Sequence, residues 1–388
     1  MPTPPHVPPM IRTDASNAFA HHTLRVRLPA TFRQTRDSNP DYPAAIRDAL
    51  TALADSLADD RPIPPLELPA PDYDEWTAAW EAHQGHTWLN TDWWFAETYA
   101  YRLLIQAVRW WETGRDPFAP TKQEELQGDS LRALTGRTLA IDGPVEERLR
   151  ALIHHALWGN RIDLSYAPAL AHGLTVSDEH LLLDDSAPVV EHLLRSRGTV
   201  HLIADNFGTE LAVDFVLIDA LLDGVADAAM VHLKLHPTFV SDATGSDALA
   251  LIHSLESSPH DPSIRRLGQR LRAALEEGRL RLAPDLYWNS SRLLWDLPPR
   301  LARLFADARL VIIKGDANYR RMAGDAIWPP AISFKAGLSY FPAPLVTLRT
   351  LKGDTLLGLP AERIAQLDAQ DPEWRTNGQR GLIQSTLA

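Results

Sequence analysis

Thr199-Val200-His201-Leu202-Ile203-Ala204-Asp205-Asn206-Phe207-Gly208-Thr209-Glu210 changes character at Ala204. The run up to Ile203 reads as a buried strand. From Thr209 onward, Leu211, Phe215, Ile218 and Leu222 recur at helical spacing. Between the two stand a carboxylate, an amide and a glycine, so Asp205 and Asn206 sit at the carboxyl end of a strand, where open α/β sheets place their ligands. The helix start behind them brings backbone N–H groups and a positive dipole end, suited to an anion. This combination points to a divalent cation and a phosphate sharing one site. The same residues also make an ordinary strand-to-helix turn, with Asp205 as a cap.

Outward from this stretch, the second half of the chain alternates. Strands are expected at 199–204, 229–235, 278–282, 309–313 and 345–348, with helices between several of them, notably 209–222 and 264–277. Such β–α alternation predicts an α/β fold with a largely parallel sheet wrapped by helices. The first half reads as helical. Ile46, Leu50, Leu53 and Leu57 give 42–58 an apolar face. Five prolines in 62–71 mark an extended linker, and seven of the twelve tryptophans follow between Trp76 and Trp111. A helix is expected from the cap Asp92 to Glu112, apolar nearly all round and therefore buried. Another runs from Pro144 to Gly159. The division expected is 1–196, a helical subdomain with a proline-rich arm, and 197–388, an α/β domain binding metal and phosphate.

Other strand ends carry chemistry as well. Asp242, in Phe239-Val240-Ser241-Asp242, follows the second strand and is the natural third ligand beside Asp205 and Asn206, since neighbouring acidic tips favour a cation between them. A helix cap is the plainer reading of Asp242 alone. Oxygen donors of this kind suit magnesium or manganese. Lys314-Gly315-Asp316-Ala317-Asn318 follows Leu310-Val311-Ile312-Ile313: the lysine offers a charge to a phosphate, the glycine a close backbone approach, Asn318 an amide. A polar turn is the competing reading there. Arg349 and Lys352 lie past a further strand and are either an anion clamp or solvated surface. Asn160 and Asp163 line the site from the helical half or cap the following segment. His154 and His155 are adjacent, face different sides of a helix, and read as structural; Glu97 reads as a satisfied buried acid.

Taken together, these motifs resemble the metal-dependent damage-control phosphatase family, and within it the Arg-Thr-x-Lys, acidic-residue-methyltransferase-like branch. The likeness is carried by Trp94-Phe95-Ala96-Glu97-Thr98-Tyr99-Ala100-Tyr101-Arg102, Trp158 to Ser165, Asp205 to Glu210, Phe239 to Asp242, Lys314 to Arg320 and Arg349-Thr350-Leu351-Lys352, in the family's order over most of the chain. The resemblance implies a helical subdomain on a three-layer α/β/α sandwich. It implies a manganese-, cobalt-, nickel- or magnesium-type ion on Asp205, Asn206 and Asp242, and substrate contacts from Asp205, Asn206, the Lys314–Asn318 loop and Lys352. The implied activity is hydrolysis of phosphate monoesters, typically sugar phosphates such as fructose 1-phosphate or fructose 6-phosphate. Phe207 and Thr209 depart from relatives that carry a small residue first and an aromatic second.

The expected mechanism is metal-assisted phosphoryl transfer, with Lys314, Lys352 and the helix start at Gly208–Glu210 stabilising developing charge. The attacking group is either a water oriented by Glu210 or the Asp205 carboxylate. Two other functions compete. One is an S-adenosylmethionine-dependent methyltransferase acting on protein carboxylates, against which no Gly-x-Gly loop follows a strand. The other is a non-catalytic sugar-phosphate-binding protein. Haloacid-dehalogenase chemistry is disfavoured, because no Asp-x-Asp-x-Thr follows a strand.

Composition narrows the class further. A length of 388 residues accommodates two domains, and 45% hydrophobic with 23% charged residues is ordinary for a soluble globular protein. A formal charge of -12 argues against nucleic acid as a partner. Without cysteine there is no disulfide, thiolate catalysis or sulfur-ligated zinc. No apolar run approaches membrane-spanning length, and the proline-rich start lacks a signal-peptide core, so a cytoplasmic protein is expected.

Overall fold

The computed structural model describes residues 7–159, 180–259 and 261–388; Asn160 and Asp163 lie outside them. Seven strands form one sheet: β1 (Leu181–Asp184), β2 (Thr199–Ile203), β3 (Ala228–Lys234), β4 (Leu280–Asp285), β5 (Leu310–Lys314), β6 (Leu345–Thr350) and β7 (Gly381–Ser385). Their order is β1-β7-β6-β5-β2-β3-β4. Every pairing is parallel except β6 with β7. The five expected strands are all present. β1 and β7 were not foreseen, and β1 draws one strand of the sheet from before residue 197.

Alternation along β5 explains why both faces of the sheet are covered. Leu310 and Ile312 point into one apolar cluster, which holds the helices Asp129–Leu139, Val145–Trp158, Ser186–Arg195, Thr209–Leu222, Gly245–Glu256 and Pro262–Glu276. Val311 and Ile313 point into another, with Leu301 and Phe305 of the helix Pro299–Ala306 and Tyr319 and Met322 of the helix Asp316–Ala323. Strands buried on both faces read as continuous apolar runs, which is why they were visible in the sequence. The result is a layer of helices on each side of a mostly parallel sheet.

Residues 11–118 build a separate apolar cluster. Its central helix, Trp93–Ala107, is buried almost throughout. It ends earlier than expected: Arg109 adopts φ 55 and a short helix, Trp110–Thr113, follows before Gly114. Trp94 leaves this cluster, joins the one beneath the sheet, and donates from its indole to Ser291 O at 2.9 Å. A buried ion pair, Arg102 with Asp72 (2.7 Å), lies at the same helix, with His236 of the β3 side 3.8 Å from Asp72. Among the described residues no helix is long and apolar enough to cross a membrane.

Candidate active site

The chain leaves β2 for β3 on one side and later returns to place β5 on the other, so the crevice at the carboxyl end of β2 is a topological switch point. Asp205 and Asn206 are the first residues there. The loop after β3 closes on them through backbone pairing. Phe207 N–H donates to Ser241 O (2.7 Å), Ala243 N–H donates to Asp205 O (2.9 Å), and Asn206 and Asp242 form an isolated antiparallel bridge. Ser241 Oγ donates to Asn206 Oδ1 at 2.6 Å. The three residues expected to hold a metal are therefore on two loops laced to each other.

The second loop is strained. Phe239 (φ 49) and Val240 (φ 70) are consecutive non-glycine residues in the left-handed region, the second of them β-branched. Such conformations cost free energy and persist where the surroundings enforce them, often at functional sites. Here the ring of Phe239 packs on Tyr101 of the helical half, with centroids 4.9 Å apart. The strain buys a turn that presents Asp242 toward Asp205.

Asp205 is short of compensating charge, whereas Asp242 has a lysine partner. Burial pushes the Asp205 carboxyl well above the usual carboxylate range, and the neighbouring charges of Glu210 and Asp242 push it further. Asp242 is raised too, mainly by burial. Lys234 Nζ pairs with Asp242 Oδ2 at 3.3 Å and also donates to Trp288 O (3.0 Å). Two buried carboxyls with an amide oxygen beside them suit a hard divalent cation. The described residues hold no cluster of three or more His, Asp or Glu that would bind a metal without Asn206.

β5 supplies the opposite wall. Gly315 (φ 81) approaches Asp205 so closely that a Cβ on it would fall 2.0 Å from Asp205 Oδ2. Asn318 Nδ2 donates to Ala204 O and Lys314 O, both at 2.9 Å, while its Oδ1 is buried without a donor among the described residues. Asp316 accepts from Arg349 Nε (2.7 Å) and from the backbone N–H of Lys352 (3.1 Å). Ala317 follows in the same helix start. The Lys352 side chain is exposed, and its charge favours the ionised form of Asp205.

Two expected phosphate cations are directed elsewhere. Lys314 is wholly buried. Its ammonium donates to Ala156 O (2.6 Å) and Asp214 (2.7 Å) and pairs with Glu210 (3.0 Å). Burial works against that ammonium, but Asp214 and Glu210 outweigh it and hold its pKa above the ordinary lysine value. Arg349 is also buried: beyond Asp316 it donates to Thr355 O and Gly353 O, and it lies over the Tyr319 ring at 4.1 Å. All three N–H groups of Lys314 are taken, and every nitrogen of the buried Arg349 is engaged within the protein. The strand-end spacing that suggested them says nothing about which way a long side chain folds back.

Glu210 is likewise engaged on both oxygens, by Asn206 Nδ2 (2.9 Å) and by Lys314. Asn206 Nδ2 also donates to Asp205 Oδ2 at 2.9 Å. Thr209 N–H, offered by the sequence to a phosphate, donates instead to Glu125 Oε1 at 2.8 Å. Glu125, Lys122, Lys234 and Asp214 were not anticipated. Only an acid or base alone in a buried face gives such residues away, and Lys122 and Glu125 lie in a polar helix that shows no such face.

With the geometry in hand, comparison with known proteins agrees. Residues 23–367 match the damage-control phosphatase ARMT1-like domain, so the chain belongs to this family of metal-dependent phosphatases. It is similar to damage-control phosphatase ARMT1 of Danio rerio (29% identical, covering 97% of this chain and 96% of the relative). The Mus musculus protein of that name is 30% identical over 86% of this chain and 85% of its own. A crystal structure of a DUF89 family protein from Pyrococcus horikoshii shares the fold, with TM-score 0.53, 14% identity and coverage of 94% and 98%. The protein is thus a phosphatase.

Proposed function

We propose that this phosphatase hydrolyses sugar phosphates, of the fructose 1-phosphate or fructose 6-phosphate kind, with a divalent ion held by Asp205, Asn206 and Asp242. The carrying observation is the lacing of the Asp205–Asn206 and Asp242 loops at the switch point, which brings two buried carboxyls together and leaves Asp205 short of positive charge. Oxygen donors favour manganese or magnesium over softer ions, and manganese is the ion we expect. When bound, the ion polarises the phosphoryl oxygens and offsets their charge.

The chain's own residues do the rest. Lys352, exposed beside Asp205, draws the phosphoryl group in and neutralises it. Gly315 lets the Asp205 carboxylate lie directly against the backbone ahead of the helix Asp316–Ala323, which fixes where that carboxylate stands. Asn318 Oδ1, buried and undonated, is an acceptor for a substrate hydroxyl. Glu210 and Lys314 position Asn206 from behind rather than touching substrate. The test is turnover of a sugar-phosphate panel with each of several divalent ions, wild type against Asp205→Ala. Manganese-dependent release of phosphate from ketose phosphates, lost in the variant, is expected; full activity in Asp205→Ala would overturn the site.

A further inference from the structure

The helix Ala119–Gln127 is nine residues long, and Lys122 is its one buried residue. Its attachment to the body of the protein is chiefly polar. Lys122 Nζ donates to Asp116 (2.9 Å), to Asp247 (2.7 Å) and to the backbone carbonyl of Asp242 (3.3 Å). One turn later, Glu125 Oε1 accepts from Thr209 N–H at 2.8 Å. Gly208 (φ 77) lets this carboxyl lie flat on the chain, since a Cβ there would fall 2.1 Å from it. One side chain thus holds the loop bearing Asp205 and Asn206, and the other holds the loop bearing Asp242.

We infer that this helix is a strap across the ion site, and that Glu125 and Lys122 are positioning residues that set metal affinity by fixing the two ligand loops relative to each other. The inference rests on the metal-site reading above. Neither residue is one of the three proposed metal ligands; both act on the loops that carry them. Groups that orient metal ligands from behind typically change affinity by 10–100-fold when removed. The Thr209 N–H would otherwise turn to solvent, and the loop ahead of it would lose its anchor at Gly208, the residue with the greatest backbone freedom. Lys122 has the same effect on the strained turn at Phe239–Val240, whose carboxylate-bearing end it holds by the Asp242 carbonyl.

The test is Mn2+ titration by calorimetry of the full chain, with melting temperature measured on each variant. Glu125→Ala is expected to weaken Mn2+ binding by about 10-fold or more. Glu125→Gln keeps an acceptor oxygen for Thr209 N–H and stays within about 3-fold of wild type. Glu125→Asp keeps the charge but is one methylene too short to reach, and so weakens binding like Ala even should Ala fold poorly. Wild-type affinity in both Ala and Asp variants overturns the strap. Loss in Gln equal to that in Ala also overturns it, because charge rather than position would then be responsible. A wild-type protein that takes up no Mn2+ overturns the metal-site reading itself, a result distinct from the other two.

Discussion

Gly315 and Asp205 meet so closely that no side chain fits between them: a Cβ on Gly315 would stand 2.0 Å from Asp205 Oδ2. The contact joins the ends of β5 and β2 across the switch point. Gly315→Ala is therefore expected to displace the Asp205 carboxylate and to strain a backbone at φ 81. The strain costs about 1–2 kcal/mol. Metal-dependent turnover of an aryl phosphate falls at least ~100-fold, because a misplacement of about 1 Å is enough for that loss. A variant with normal kinetics would show that the close approach is incidental.

Asp205→Asn separates function from stability. The folded Asp205 carboxyl has a raised pKa, caused first by burial and then by Glu210 and Asp242. An acid whose folded pKa lies above its unfolded value costs stability once the pH exceeds the unfolded value, and the cost grows up to the folded value. At neutral pH the metal-free Asn variant should thus melt no lower than wild type, while losing Mn2+-induced stabilisation and turnover. Differential scanning calorimetry with and without Mn2+ reads both. A lower melting point in the metal-free variant would mean that Asp205 is a structural acid.

Lys314 and Lys352 are predicted to fail in opposite ways. Lys314→Met leaves Asp214 and Glu210 buried beside an apolar chain, and Asp214 already sits high, at about 7, through burial. Removing one partner of a buried pair costs about 3–5 kcal/mol. Chemical denaturation should show that loss. Lys352→Met, at an exposed position, should leave the denaturation midpoint in place and raise KM for phosphate esters by roughly 10-fold, the value of one charge-assisted contact. A reversed pattern would exchange the two roles.

Stability should also depend on pH through His201. It sits on β2 with its Nδ1 2.9 Å from Nε2 of His232 on β3, and burial holds its pKa down at about 4. The unfolded ring titrates near 6.5 and so binds the extra proton between those values. The sign follows: unfolding becomes harder as pH rises from about 4 to 6.5, then levels off, with a contribution on the order of 3 kcal/mol. His201→Gln should make that part of a stability-versus-pH curve, measured by urea denaturation, shallower, with the remaining slope carried by His155 and His232. An unchanged slope in the variant would assign it to other groups.

The sheet was legible because its inner strands are largely apolar runs: Leu310 to Ile313 without a break, and Val200 to Ile203 interrupted only by His201, announce burial on both faces. β1 and β7 escaped notice for a physical reason. Leu181–Asp184 has only three apolar residues before an acid, and Gly381–Ser385 only Leu382 and Ile383, so neither makes a run long enough to mark a buried strand. Asp205, Asn206 and Asp242 were visible because acids and amides at strand tips are an exposed kind of signal. Lys314 and Arg349 misled for the converse reason, since position on the backbone does not reveal that each folds back onto an acid of the protein itself, Asp214 and Asp316. The long reach of Glu125 to Thr209, 84 residues away, has no local sign at all.

The antiparallel strand β7 lies between β6 and β1. During synthesis, Leu181–Asp184 leaves the ribosome some two hundred residues ahead of the strand it needs. Until then that edge has no neighbour to bond, and Asp185, which later accepts from Ser385 N–H, has none either. The polypeptide can assemble its centre early, around β2, β3 and β5, but the flank is sewn shut last. Closure of that flank is the pairing of longest sequence separation in the sheet.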